Sequence, residues 1–98
     1  MGGMFIHIFS FRWQPGVTEA QKQRVFTDVN ALQSQIPGIL DYAIGFNTSP
    51  RGQGCEFGGF MKFASRASFE AYAAHPVHDQ LLEWLMPLID PIEVDFEF

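Results

Sequence analysis

The chain has 98 residues, enough for one domain with a modest core, and 47% of them are hydrophobic, with 11 Phe to bury. A net charge of −5, with six Lys and Arg scattered along the chain, argues against a nucleic-acid partner. The single cysteine, Cys55, rules out an internal disulfide and fits a reducing, cytoplasmic setting; no apolar run reaches membrane-spanning length, and because Met1-Gly2-Gly3 runs directly into a strand-like pattern no secretory leader is expected.

Met4 to Trp13 alternates as a strand, with Phe5, His7, Phe9, Phe11 and Trp13 on one face and Ile6, Ile8 and Ser10 on the other. Both faces are apolar, so the strand is expected to be buried, with His7 the odd member of an aromatic row. Gln14-Pro15-Gly16 is a turn, and Thr18 to Gln21 has the spacing of a capping box. Val25, Val29, Leu32 and Ile36 then mark one apolar stripe of a helix through Gln35, which Pro37-Gly38 ends.

Ile39 to Asn47 predicts a second strand, with Leu40, Tyr42, Ile44 and Phe46 on one face and Asp41, Ala43 and Gly45 on the other. After a Gly- and Pro-containing loop, Cys55 to Phe63 predicts a third, in which Phe57, Gly59, Met61 and Phe63 alternate with Gly58, Phe60 and Lys62. The adjacent glycines point to a bulge, or to room for something to approach the backbone. Ser65 is placed to cap a helix through Ala74, and Pro76 to begin another that runs to about Met86. Ile92 to Phe98 closes the chain as a strand in which Ile92, Val94, Phe96 and Phe98 alternate with Glu93, Asp95 and Glu97, an acidic set that reads as a solvated face.

The order βαββαβ is the ferredoxin-like arrangement, an α+β fold covering residues 1–98 as one domain. Its helices can cover one sheet face only. The opposite face would expose a large apolar patch, so a C2 homodimer packing sheet against sheet is expected.

The segment from Glu70 to Asp79 holds the residues best suited to chemistry, Tyr72, His75 and His78, around the helix break that Pro76 dictates. His78 falls in the first turn of the second helix, where the dipole favours a neutral ring, while Asp79 favours imidazolium. The sequence leaves its protonation state open. The histidines at 7, 75 and 78 are acceptable zinc ligand types, but Pro76 separates the pair and no carboxylate ligand is evident; neither a metal nor another cofactor is expected.

The chain resembles the stress-responsive dimeric α/β-barrel (Dabb) family over nearly its full length. The resemblance is carried by His7, Thr18-Glu19-Ala20-Gln21, Ile36-Pro37-Gly38-Ile39, Gly45 to Ser49, Phe60 to Phe63, Val94-Asp95-Phe96 and, most specifically, Tyr72-Ala73-Ala74-His75-Pro76-Val77-His78. It implies a ferredoxin-like protomer and a barrel-like homodimer. In the family's plant cyclases, which act on linear polyketides, the residues matching Tyr72 and His78 are the acid/base pair, and the match to His7 lines the pocket. Here Val25 and Val29 stand where those cyclases carry aromatics and Phe57 replaces a histidine, which implies a different substrate.

The leading expectation is therefore a homodimer with an apolar pocket in each subunit that binds a small carbonyl-containing or aromatic molecule. His78 and Tyr72 are assigned cofactor-free enolisation or cyclisation, and His7, Phe9, Gly59, Met61, His75 and Trp84 are assigned to substrate binding. Two readings compete with it. One is a non-catalytic stress or interaction dimer, in which His75 and His78 only cap the helix break; the other is an oxygenase of the wider dimeric α+β barrel group.

Overall fold

The computed structural model describes residues 3–98, so the leader reading at Met1-Gly2 falls outside the described residues. β1 (Phe5–Trp13), α1 (Glu19–Gln35), β2 (Ile39–Phe46) and β3 (Phe57–Phe63) are followed by α2 (Arg66–Ala73), α3 (Pro76–Leu85), a 3-10 turn at Met86–Leu88 and β4 (Ile89–Glu97). The strands form one antiparallel sheet in the order β2-β3-β1-β4, the ferredoxin-like topology that the sequence predicts.

The helix starts follow from local chemistry. Thr18 Oγ1 accepts from the Gln21 backbone N–H at 3.2 Å while the Gln21 side chain accepts from the Thr18 N–H at 2.9 Å, a complete capping box. Ser65 caps α2 through the Ser68 N–H. Val25, Val29, Leu32 and Ile36 are buried along the inner side of α1, against Phe5, Phe9, Phe11, Phe57, Met61 and Phe63 of the sheet. Leu81 and Leu85 of α3 complete that core. All three helices lie on this one face.

Three local expectations are corrected. Gly58 and Gly59 make no bulge, since β3 pairs with β1 in unbroken register from Phe57 to Phe63. The irregularity lies at Ile39/Asp41 of β2, which displaces Leu40, 56% exposed, and puts Ile39 rather than Leu40 on the side of Tyr42, Ile44 and Phe46. Nor does Gly59 leave free space: a Cβ there would lie 2.5 Å from the Ala43 carbonyl oxygen and 2.9 Å from Phe9 Cζ, so the ring of Phe9 occupies the room the glycine provides. β4 begins at Ile89, before Pro91, because an edge strand with a single neighbour tolerates a residue without an N–H.

Glu93, Asp95 and Glu97 are exposed, as a solvated face should be, but the β1/β4 register sets Asp95 opposite His7 and Glu93 opposite Phe9. Residues directly opposite in an antiparallel pair share a face, so these carboxylates lie on the helix side. Glu97 meets Arg66 Nε at 2.7 Å and Asp95 meets His7. The apolar set turns outward instead: Ile8, Ile92, Val94 and Phe96 are 38–54% exposed on the face without helices. Among the described residues, no helix is long and apolar enough to cross a membrane.

Gly59→Ala is expected to lower stability by about 1–3 kcal/mol, the usual cost of forcing atoms into a filled core. Gly45→Ala on the neighbouring strand, where an added Cβ meets nothing within 4 Å, should change it little. Urea unfolding of the two variants beside the wild type measures the difference.

Candidate functional site

Pro76 has no N–H, so the helical hydrogen bonding of α2 cannot continue through it, and the chain restarts as α3 with Pro76 in its first turn. The imidazole of His75 does what Asp or Asn does at most helix starts: its Nδ1 accepts from the Val77 N–H at 3.1 Å. Val77 N–H is the donor that an unbroken helix would have given to the Ala73 carbonyl. That freed carbonyl is taken by His78, whose Nδ1 lies 3.1 Å away.

A carbonyl can only accept, so His78 Nδ1 carries the proton and Nε2 of the neutral ring keeps its lone pair. Burial pushes the His78 pKa below its ordinary 6.5, against the raising influences of the Ala73 carbonyl and Asp79. The balance left open by the sequence is settled toward the neutral ring. Tyr72 shifts the opposite way: it is 4% exposed, and burial, followed by the charge of Glu93, raises its phenol well above the usual range. Tyr72 therefore stays protonated at neutral pH, as a donor. The two rings are adjacent, with centroids 4.8 Å apart.

Both face a cavity of about 380 Å³ between the helices and the sheet. His7, Phe9 and Phe11 of β1 form its floor, Val29 and Leu32 of α1 one wall, and the apolar side chains of α2 and α3 most of the rest. Met86, Pro91 and Glu93 form the rim toward β4. His7 is 5% exposed; its Nδ1 is 2.5 Å from Asp95 Oδ1, and its Nε2 is 3.8 Å from Glu93 Oε1. The carboxylate of Asp95 accepts from Nδ1–H and fixes the ring, as such partners do for histidines in metal and catalytic sites. Its ring centroid is 6.4 Å from that of Tyr72.

Of the residues assigned from sequence, His7, Phe9, Tyr72 and His78 converge on this cavity. Gly59 and Met61 do not; Met61 is fully buried in the core and Gly59 lies beneath Phe9. His75 is occupied as the helix cap. Trp84 follows His78 by six residues, which on a helix of 3.6 residues per turn turns it roughly 120° away. It lies instead in a separate groove between α1 and α3, with the Arg24 guanidinium 4.0 Å above its ring. Glu93, which lines the cavity, and Asp95, which holds His7, are the residues of this candidate site that sequence reasoning missed. The alternation of β4 was the available signal, but the cross-strand register decides which side it presents. Among the described residues, no three His, Cys, Asp or Glu side chains converge as a metal site.

The sequence description of the stress-responsive A/B barrel domain matches residues 5–98. No curated protein sequence matches the chain. Among solved structures, a dimeric ferredoxin-like protein of unknown function from Thermobifida fusca is 32% identical, with a TM-score of 0.82 over 98% of this chain and 92% of that one. The hydroxynitrile lyase of Passiflora edulis is 18% identical, with a TM-score of 0.88 over 98% and 94%. A putative antibiotic biosynthesis monooxygenase from Chloroflexus aurantiacus is 19% identical, with a TM-score of 0.72 over 98% and 93%. At these identities the last two show the fold alone.

The folded pKa of His78 lies below the unfolded value near 6.5, so its contribution to stability is intact above that pH and is lost as the pH falls through the folded value. His78→Gln removes this titration. Between pH 7.5 and 5 the wild type should lose more stability than the variant, read as the shift in urea midpoint, and nitrogen NMR should show the wild-type ring protonated at Nδ1 at the upper pH.

Proposed function

This chain belongs to the stress-responsive A/B barrel family, and on that footing we propose that it is a homodimer whose subunits each bind a small, largely apolar carbonyl compound and enolise it without a cofactor. The observation that carries the reading is the convergence of a neutral histidine and a protonated tyrosine on one apolar cavity.

In the proposed step His78 Nε2 takes a proton from the carbon next to the carbonyl. The electrons of that C–H bond form the C=C bond, and the carbonyl π electrons move to oxygen, where the Tyr72 hydroxyl donates a hydrogen bond to the developing charge. The roles suit the pKa directions: a base must be unprotonated at working pH, and the donor must still hold its proton. Apolar walls exclude water and strengthen both interactions. His7, oriented by Asp95, holds the ligand on the opposite side of the cavity.

Two features support the homodimer. Ile8, Ile92, Val94 and Phe96 expose a contiguous apolar patch of the kind that marks an interface, and the relative from Thermobifida fusca is described as dimeric. The cavity lies on the other side of the sheet, so dimerisation leaves it open.

The expected outcome for assembly is sedimentation of the wild type as a dimer and of Val94→Asp as a folded monomer, since a carboxylate there, opposite Ile8, cannot be buried unpaired in an apolar interface. For chemistry, wild-type protein in D2O should exchange the α-protons of small aryl ketones faster than buffer, as followed by proton NMR. His78→Ala and Tyr72→Phe should each slow that exchange by about 10²–10⁴. Wild-type exchange no faster than buffer across a panel of ketones would sink the enolisation and leave a binding protein.

A further inference from the structure

The cavity is lined mainly by apolar side chains, but its charge is one-sided. Among the described residues, no Lys or Arg lines it. Glu93 stands at its rim with Oε1 3.8 Å from His7 Nε2, and Asp95 lies behind His7. His78 is held neutral by burial. Whether His7 is neutral or cationic, the group formed with the two carboxylates is net negative. The field of Glu93 reaches the cavity, since its charge helps to hold the Tyr72 phenol protonated. Tyr72 itself is a buried side chain on the cavity wall, and its hydroxyl keeps its proton.

We propose that Glu93 sets the charge of the ligand: the cavity takes a carbonyl compound with an apolar body and a protonated amine at the end that reaches the rim, and discriminates against carboxylates. The inference rests on the cavity being the ligand site proposed above. An ammonium group would donate to the Glu93 carboxylate, a charge-assisted hydrogen bond. A carboxylate in the same place would face Glu93 with no cation to offset it. Glu93 is more than half exposed, with its side chain 58% accessible, so solvent screens both effects and the discrimination is moderate rather than absolute.

The experiment uses three ketones of one shape: 4-(aminomethyl)acetophenone, 4-methylacetophenone and 4-acetylbenzoate. Each is titrated into the wild-type protein and followed by amide and methyl NMR shifts of the cavity residues. The expected order of affinity is amine, then neutral, then carboxylate, with about tenfold between first and last at low salt, shrinking as salt is added. Glu93→Gln should collapse the order to within about twofold, while Glu97→Gln, which alters a carboxylate of the same strand paired with Arg66, should leave it intact. If the three ketones bind the wild type equally, or the order survives Glu93→Gln, the role of Glu93 fails while the cavity stands as the ligand site. If none of them shifts the cavity residues, that site assignment fails and the charge preference with it.

Discussion

The antiparallel register between β1 and β4 decides most of what this molecule presents to its surroundings. Pairing Phe9 with Glu93 and His7 with Asp95 puts the acidic row of β4 beside the buried aromatic row of β1. The same pairing sets Ile8 beside Val94 and Ile6 beside Phe96 on the uncovered face. A slip of one residue would exchange the rows, burying Ile92, Val94 and Phe96 under the helices and sending the carboxylates outward. His7 would then lack the Asp95 partner that satisfies it, and a buried imidazole without a partner is costly. The hydrogen bond of the edge strand's Asp95 to the central strand's His7 thus agrees with the backbone ladder and favours the observed pairing. Both features of the surface follow: a polar cluster at the edge of the cavity and an apolar face free of helices.

The helix break supplies the other half of the site. An uninterrupted helix through residues 66–85 would pair the Ala73 carbonyl with the Val77 N–H, and His78 would lose that backbone acceptor. Pro76 has no N–H for the Tyr72 carbonyl and breaks the helix, and the Val77 N–H, which would have reached the Ala73 carbonyl, goes to the His75 imidazole, so the Ala73 carbonyl is left unclaimed. His78 then binds the carbonyl through Nδ1, which fixes both the ring orientation and the tautomer. Two histidines in one short segment therefore do different work. One is structural, with its acceptor nitrogen consumed by the cap; the other keeps a free basic nitrogen on the cavity side.

These arrangements meet across the cavity. β1 brings His7 and Phe9 from the sheet, α2 brings Tyr72 and α3 brings His78, so the polar groups are held on regular elements rather than loops. Such placement favours the fixed geometry that acid–base chemistry requires. Burial shifts the two titrating groups in opposite senses, because desolvation disfavours whichever form is charged: phenolate for Tyr72, imidazolium for His78. One apolar environment thus favours the uncharged form of both groups at the same pH.

The order of elements, both helix caps, the inner stripe of α1 and the Pro76 break were legible in the sequence, because each depends on residues a few positions apart. So were Tyr72 and His78, which neighbouring turns bring together, and His7, as the polar member of an apolar row. Contacts between distant segments were not legible. Alternation in β4 shows that two faces differ, but only pairing with β1 determines that Glu93, Asp95 and Glu97 turn toward the helices. Helical phase carries Trp84 to another groove, and the ring of Phe9 fills the space over Gly59 that looked free in one dimension. By itself the sequence determined the local hydrogen bonding and the inventory of reactive side chains. The tertiary structure decided which of them share a cavity, because register and packing join positions that the chain keeps some 70 to 90 residues apart.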